Sequence, residues 1–251
     1  MALIEAGKAA ALHAVTVGTS GWALPKEYAA EFPAEETHLM RYAQRLCGVE
    51  INSSFYKPHR PATYVRWADS VPEGFRFAVK APKEITHRLK LVETSLPLER
   101  FLAEATALGS NWGPLLVQLP PSLAFDPQIA ATFFAALRAR FAGDAVCEPR
   151  HASWFGREAA RVLTDFHIAR VAADPAPVPA AASPGGWPGL VYYRLHGSPR
   201  TYYSAYSSDF LSALAQNLRE LSRSAPVWCI FDNTALGAAT GDALDITERL
   251  R

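Results

Sequence analysis

What this 251-residue chain lacks narrows it first. It has only three cysteines, Cys47, Cys147 and Cys229, with no metal or redox spacing among them. Their odd number and apolar neighbours predict buried, reduced thiols and a cytoplasmic setting. Charge of one sign is not in excess: the formal net charge is +1, so no global field gathers nucleic acid or a membrane surface. Any anion must therefore meet a local patch. No apolar run is long enough to span a bilayer. The apolar stretch after Lys8 is short and broken by His13, and is not expected to be a signal peptide. No two histidines stand at HxH or HxxxH spacing. The turn Gly18-Thr-Ser-Gly-Trp22 lacks the second and third glycines of the dinucleotide fingerprint, which argues against an open Rossmann sheet.

What is present is a core and a repeating rhythm. Hydrophobic residues make up 49% of the chain and charged residues 20%, an ordinary globular balance. Eight β-rich runs recur at Val15–Gly18, Gly48–Asn52, Phe75–Lys80, Leu115–Leu119, Ala145–Arg150, Ile168–Ala172, Leu190–His196 and Val227–Asp232. Helical patterns fall between them at Glu35–Cys47, Leu98–Leu108 and Pro127–Phe141, the last with Asp126 as N-cap. Another runs from Ser207 or Ser208 to about Arg223, and a final one from about Leu244 to the C-terminus. The segment from Asp174 to Gly189 holds five prolines and three glycines and should be a loop. The expected fold is a single (β/α)8 TIM-type barrel domain over residues 1–251, with the helix after strand 6 replaced by this Pro/Gly-rich loop.

Strand side chains alternate faces, so residues two apart share one. If Val17, Val49, Ile51, Phe77, Val79, Val117, Leu119, Cys147, Tyr193, Leu195, Cys229 and Phe231 face the helices, the inward set is polar. It comprises Glu50, Asn52, Lys80, Gln118, Glu148, Arg150, Arg194, His196 and Asp232, gathered at the carboxyl ends of the strands. Barrel enzymes assemble their sites there. A purely structural interior would carry Val, Ile and Leu, because unpaired buried charge is expensive. Glu50, Glu148 and Asp232 nearly cancel Lys80, Arg150 and Arg194. The same set therefore also reads as an ion-pair plug that fixes the fold.

Eight stretches carry a family resemblance. They are Gly18-Thr-Ser-Gly-Trp22, Val49-Glu-Ile-Asn-Ser-Ser-Phe-Tyr56, Gly74-Phe-Arg-Phe-Ala-Val-Lys-Ala-Pro82 with Thr86-His87, Gln118-Leu-Pro-Pro121, Glu148-Pro-Arg-His151, Ser153-Trp-Phe155, Arg194-Leu-His-Gly197 and Phe231-Asp-Asn-Thr234. In this order the chain resembles the YecE-like family, domain of unknown function 72, over nearly its whole length. The resemblance implies a β/α barrel and no established activity. Two positions depart from the family pattern: Pro149 stands where a Phe or similar residue is usual, and Ala152 where a Pro is usual. A proline removes a ladder donor, so the fifth strand is expected to end early and re-aim Arg150. The segment after Trp22 also lacks the Tyr and Trp the family often carries.

The residue types suggest roles. Glu50 and Glu148 among cations are candidate acid and base, since neighbouring charges separate carboxylate pKa values. His196 is a candidate proton shuttle. Lys80 reads as an anion clamp, an electrophile or, least favoured, a Schiff-base former. Arg150 and Arg194 suit bidentate phosphate or carboxylate. Asn52, Gln118, Asp232 and Asn233 line the mouth; His87, Trp22, Tyr56 and Tyr206 follow strands as rim contacts. No cofactor is predicted, and no metal ligands are assigned; a divalent metal is the secondary option, opposed by three cations in one mouth. The favoured function is an acid–base enzyme, hydrolase or isomerase/lyase, acting on a small anionic, sugar-like or phosphorylated molecule. The alternatives are a nucleic-acid-binding protein or phosphodiesterase resembling barrel endonucleases, and a non-catalytic binding barrel. No membrane partner is expected, and no pattern sets the oligomeric state.

Overall fold

In the computed structural model the described residues are 14–34 and 36–251. The stretch from Lys8 to His13 and Glu35, the first residue of one expected helix, lie outside them.

Short alternating runs build two largely parallel sheets. In the first, β1 (Val15–Thr19) pairs with β10 (Val227–Phe231), β10 with β9 (Val191–Leu195), and β9 with β7 (Ala172–Asp174), all parallel. In the second, β2 (Gly48–Ile51), β3 (Arg76–Lys80), β4 (Trp112–Gln118), β5 (Ala145–Glu148) and β6 (Ile168–Arg170) run parallel in sequence order. A two-residue antiparallel strand, β8 (Gly185–Gly186), edges β6. All eight expected runs are strands, the sixth divided into β6 and β7 around Val171. The fold is thus mixed α/β with parallel sheets.

The sheets approach each other at two seams. At one, β6 leads into β7 through Val171, whose N–H donates to Cys147 O at 2.9 Å. At the other, Ser20 and Glu50 form an isolated parallel bridge and Gly21 N donates to Glu50 O at 2.9 Å. Below that bridge a side chain replaces the ladder. The Tyr42 hydroxyl accepts from Thr19 N at 2.8 Å and donates to Gly48 O at 3.0 Å. The approach is so close that a Cβ on Gly18 would lie 2.1 Å from Gly48 O.

Seven α-helices cover these strands among the described residues: α1 (His38–Ala43), α2 (Pro61–Asp69), α3 (Ser95–Ala105), α4 (Pro127–Arg138), α5 (Arg157–Asp165), α6 (Ser208–Leu221) and α7 (Ala238–Leu250). Local chemistry sets their starts. Asp126 Oδ1 accepts from Gln128 N and Ile129 N, each at 2.9 Å, and Pro127 follows it; Ser207 Oγ accepts from Phe210 N at 3.2 Å. Both caps match expectation. The first helix is shorter than expected because Thr37 caps it at His38. α7 begins at Ala238 rather than about Leu244, since Gly237, at φ 89°, turns the chain into it. α2 and α5 were not expected; they bury only Tyr64, and Ala159 with Leu163, so few core side chains mark them.

The Pro/Gly segment forms no α-helix, only a 3-10 turn at Pro179–Ala182 and the edge strand β8. Arg170 anchors it: Nη2 donates to Ala180 O at 3.0 Å, and the guanidinium lies over the Phe155 ring at 4.9 Å. With no helix there, a groove of about 550 Å³ opens beside α6, lined by Tyr193, Leu195, Phe210, Leu214 and Asn217 among others.

Side-chain alternation separates two apolar clusters. Val17, Val49, Ile51, Phe77, Val79, Val117, Leu119, Cys147, Tyr193, Leu195, Cys229 and Phe231 pack outward with helix residues such as Leu39, Phe101, Phe134 and Leu218. Ala78, Leu116, Val146, Ala169, Tyr192, Trp228 and Ile230, from both sheets, pack inward on one another. Trp228 stacks on Tyr192 with centroids 5.9 Å apart, and fits because a Cβ on Gly113 would sit 2.6 Å from its ring. Cys147 and Cys229 are buried as expected, but Cys47 is exposed. It precedes β2, where strand alternation has not yet begun to turn side chains inward.

Candidate functional site

With Val49 and Ile51 turned outward, Glu50 projects inward and is fully buried. The same alternation turns Arg194 inward between Tyr193 and Leu195, and brings Glu148, His196 and Asp232 to the strand ends, all buried. Arg194 is the hub. Its Nε donates to Glu50 Oε2 at 3.0 Å, and its Nη2 to Glu50 Oε1 at 2.7 Å and Asp232 Oδ2 at 3.0 Å. Its Nη1 donates to Glu148 Oε2 at 2.6 Å. One guanidinium thus holds carboxylates from β2, from β5 and from the end of β10, using the fork geometry only arginine has. Tyr192 adds its hydroxyl to Glu50 Oε2 at 3.0 Å.

β5 stops at Glu148, immediately before Pro149, the early end expected of a strand running into proline. Arg150 then turns back: its Nη2 lies 2.6 Å from Glu148 Oε1 and 2.9 Å from His196 Nε2. Two carboxylates flank the imidazole, Asp232 Oδ2 at 3.0 Å from Nδ1 and Glu148 Oε1 at 3.0 Å from Nε2. Arg150 can only donate, so in a neutral imidazole Nε2 accepts from it and Nδ1 donates to Asp232 Oδ2 at 3.0 Å. The 3.0 Å approach of Nε2 to Glu148 Oε1 is then two acceptors bridged by the two hydrogens of one Arg150 nitrogen.

Burial alone would raise the carboxyl pKa values here, and the cations reverse it. Arg194 and Arg150 hold Glu148 well below the usual carboxylate range despite its desolvation. Burial also works against Asp232, yet Arg194 and the His196 hydrogen bond bring it down to about 2. Burial disfavours the Arg194 cation, but Glu148, Glu50 and Asp232 more than restore it.

Lys80 stands apart. Its side chain is buried at the end of β3, and its Nζ sits 4.2 Å from the centroid of the Phe55 ring. Among the described residues no carboxylate oxygen lies within 4.0 Å of Nζ and no acceptor receives a hydrogen bond from it. Desolvation, and next the Arg194 charge, lower its pKa to about 8, although Glu50, Glu148 and Asp232 pull the other way.

The structure therefore brings together Glu50, Glu148, Arg150, Arg194, His196 and Asp232, with Lys80 in electrostatic reach of them. Asn52 joins through Ser20: its Nδ2 donates to Ser20 Oγ at 2.9 Å, and Ser20 Oγ reaches Glu50 Oε1 at 3.5 Å. Asn52 also lines a cavity of about 360 Å³ with Gly21, Trp22, Ala23, His38 and Ser53. Gln118 is the register partner of Glu148 at the end of β4 and is partly exposed. Trp22 sits edge-on to Trp67 at 5.1 Å. Tyr56 is exposed, and both it and His87 meet the edge or face of Phe55, at 5.0 and 4.9 Å.

Two other predicted residues belong to a network behind this one. Asn233 Nδ2 donates to Ser204 O at 2.8 Å and to Asp242 Oδ2 at 2.7 Å. Tyr206 donates to Asp174 Oδ1 at 2.9 Å, accepts from Gly197 N at 2.9 Å, and stacks on Phe210 in the outer cluster. Burial raises Asp242 to about 6, only partly opposed by Asn233 and Tyr206.

Sequence reasoning missed Tyr192 and Tyr202. Tyr192 is flanked by an outward Val191 and Tyr193, so alternation alone puts it inside; its hydroxyl as a partner for Glu50 was the overlooked signal. Tyr202 lies edge-on to His196 at 5.8 Å on the loop after β9, and no strand pattern reaches that loop. Among the described residues no three His, Cys, Asp or Glu side chains are grouped to hold a metal ion, and the three carboxylates all bond Arg194. No helix there is long and apolar enough to cross a membrane.

Comparison with known proteins agrees with this architecture. A crystal structure from Enterococcus faecalis V583, described as a DUF72 family protein, superimposes with a TM-score of 0.80 at 20% identity, covering 94% of this chain and 95% of that one. One from Thermotoga maritima MSB8, described the same way, gives 0.77 at 25% identity, covering 95% and 99%. The protein YecE of Escherichia coli K12, classed as UPF0759, is 28% identical over 175 residues, which are 66% of this chain and 61% of that relative's length. The family model described as protein of unknown function DUF72 matches residues 16–251. The chain therefore belongs to the DUF72 family.

Proposed function

We propose that the two sheets are arcs of one (β/α)8 barrel domain and that its mouth is the active site of an acid–base enzyme for a small anionic, sugar-like or phosphorylated molecule. Three features support the barrel. Ser20 bridges Glu50 at one seam, Val171 alone separates β6 from β7 at the other, and both sheets feed one interior cluster. An experimental structure with water between β1 and β2 would overturn it.

The single observation that carries the functional reading is Lys80. The other ionic groups of the cluster each hold a partner within 3.0 Å; among the described residues Lys80 Nζ holds none. Holding an unpaired ammonium on a side chain only 6% exposed is costly, and proteins retain such groups where a ligand completes them. Its pKa of about 8 suits proton transfer near neutrality. In this reading Lys80 and the partly exposed Arg150 meet the anion. Glu50, Glu148, Asp232 and Arg194 form the rigid frame that aims them, and His196 is fixed by Asp232 and Arg150. The low pKa of Glu148 makes it a poor proton carrier at neutral pH, so it acts by holding Arg150 and Arg194. The test is a thermal-shift screen of phosphorylated sugars, nucleotides and organic acids against wild type and Lys80→Met. Stabilisation by a compound of these classes that Lys80→Met abolishes is the expected result; no stabilisation by any of them overturns the reading.

The exposed rim aromatics Tyr56, Tyr202 and Tyr203, the last covered by the Arg200 guanidinium at 3.8 Å, favour a second reading in which the mouth receives a nucleotide of a nucleic acid. Steeply salt-dependent retention of single-stranded DNA would support it, and no retention at low salt would reject it.

A further inference from the structure

Resting on the reading of this mouth as an enzyme site, we propose that Lys80 is a covalent residue: its Nζ forms an imine with a carbonyl carbon of the substrate, which is a small aldehyde or ketone that also bears an anionic group.

The argument starts from charge. Glu50, Glu148 and Asp232 supply three negative charges, and the guanidiniums of Arg150 and Arg194 supply two positive ones. Yet every carboxylate is already bonded to a guanidinium, so none is left to pair directly with the Lys80 ammonium. Burial and the neighbouring Arg194 cation favour the free amine further. Three carboxylates thus draw toward a cation at Nζ without contact from any of them, while burial and Arg194 favour the amine. The Phe55 face, 4.2 Å away, stabilises a cation there without consuming the nitrogen lone pair of the amine form.

Imine formation resolves this conflict. The Nζ lone pair attacks the carbonyl carbon, forming the C–N bond and moving the C=O π pair onto oxygen. The nitrogen loses one proton and the oxygen gains one, giving the carbinolamine. A further proton from water at the mouth lets that oxygen leave as water while nitrogen's pair forms C=N⁺. An amine and a carbonyl, both neutral, have become a cation with the uptake of one proton, and no oxidant or reductant takes part. The iminium lies against Phe55, with Glu50, Glu148 and Asp232 drawing toward its charge. The partly exposed Arg150, whose buried Nε has no partner, is the group for the substrate's anionic end.

The experiment is reductive trapping on the intact protein. Wild type is incubated with sodium cyanoborohydride and, separately, pyruvate, dihydroxyacetone phosphate or glyceraldehyde 3-phosphate, then digested and mapped by mass spectrometry. At pH 7.5 a lysine of pKa about 8 holds roughly two-hundredfold more free amine than an exposed one. The expected result is an adduct on Lys80 formed well ahead of any on the exposed Lys26, Lys57, Lys83 and Lys90, and lost in Lys80→Arg. Adducts on those surface lysines alone, or none from any carbonyl, overturn the proposal. A parallel thermal-shift measurement with phosphate and malate, which have no carbonyl to trap, separates the two claims. If those anions stabilise wild type but not Lys80→Met while no adduct forms, the site reading survives and the imine does not. If neither effect is seen, both fall.

Discussion

Arg194 grips Glu50 with two nitrogens, Nε at 3.0 Å and Nη2 at 2.7 Å, and both side chains are fully buried. Removing one partner of such a pair leaves a desolvated charge without compensation, which typically costs about 3–5 kcal/mol. Arg194 serves two further carboxylates, so Arg194→Met is expected at the top of that range, with a fall in Tm of roughly 10 °C or more. Adding Glu50→Gln should recover part of the loss by removing one stranded charge. Thermal and urea denaturation check both. A single variant within 1 kcal/mol of wild type, about 1.4 kcal/mol being tenfold in the folding equilibrium, would show that the hub is not under electrostatic tension.

Lys80 should behave in the opposite way. Its folded pKa, about 8, lies below the ordinary lysine value of 10.5, so between these two pH values the unfolded chain binds the extra proton. Stability from this group therefore rises as pH climbs from 8 to 10.5, and its full cost, up to ~3 kcal/mol, is present at pH 7. Lys80→Met, apolar and similar in length beside Phe55, is expected to raise Tm at pH 7 and to lose that advantage above pH 10. A gain in stability with loss of ligand response is the signature of a functional rather than a structural residue. A lower Tm at pH 7 would contradict it.

Asp242 carries a pH dependence opposite in sign to that of its neighbours in the mouth. Its pKa is raised from 3.8 to about 6, so the folded protein takes up the extra proton in that window and stability from this group falls as pH rises through it. Asp232 and Glu148 have depressed values; their contribution is present above the unfolded carboxyl range and is lost as pH falls, for Asp232 through about 2. Asp242→Asn, with its one oxygen in the place of Oδ2, keeps an acceptor for both Tyr206 N and Asn233 Nδ2 while removing the buried charge. It should stabilise by about 1–3 kcal/mol at pH 8 and by little at pH 4, read from Tm across that range. An equal shift at both pH values would remove the titration argument.

How far the sequence carried depends on which interaction set each feature. Period-two alternation turned Glu50, Lys80, Glu148, Arg194, His196 and Asp232 inward, because the outward positions beside them are filled by Val49, Val79, Cys147, Tyr193, Leu195 and Phe231. Pro149 foretold the early end of β5, since a proline cannot donate to the ladder. What alternation cannot encode is pairing. That Arg194 binds three carboxylates while Lys80 binds none follows from side-chain length and register, such as Ile230 opposite Arg194 and Ala78 opposite Glu50. Residues placed by loops were illegible for the same reason: Tyr202 reaches His196 from an irregular segment. Asn233 and Tyr206 look like mouth residues by position, yet their polar atoms are drawn to Asp242 and Asp174.

Two buried tyrosines offer the sharpest contrast in what a hydroxyl contributes. Tyr42 and Tyr64 are both fully buried. The Tyr42 hydroxyl accepts from Thr19 N and donates to Gly48 O, bridging β1 to β2 where their backbones do not pair. Tyr42→Phe strands both groups, each costing ~1–3 kcal/mol, so a loss of about 2–4 kcal/mol is expected, with faster hydrogen exchange at the Thr19 amide. The Tyr64 hydroxyl has no partner among the described residues. Tyr64→Phe removes a polar atom already paying its desolvation, keeps the ring against Trp67, and is expected to be neutral or stabilising by about 1 kcal/mol. If Tyr42→Phe is as harmless as Tyr64→Phe, the seam between the two sheets is held by something other than that hydroxyl.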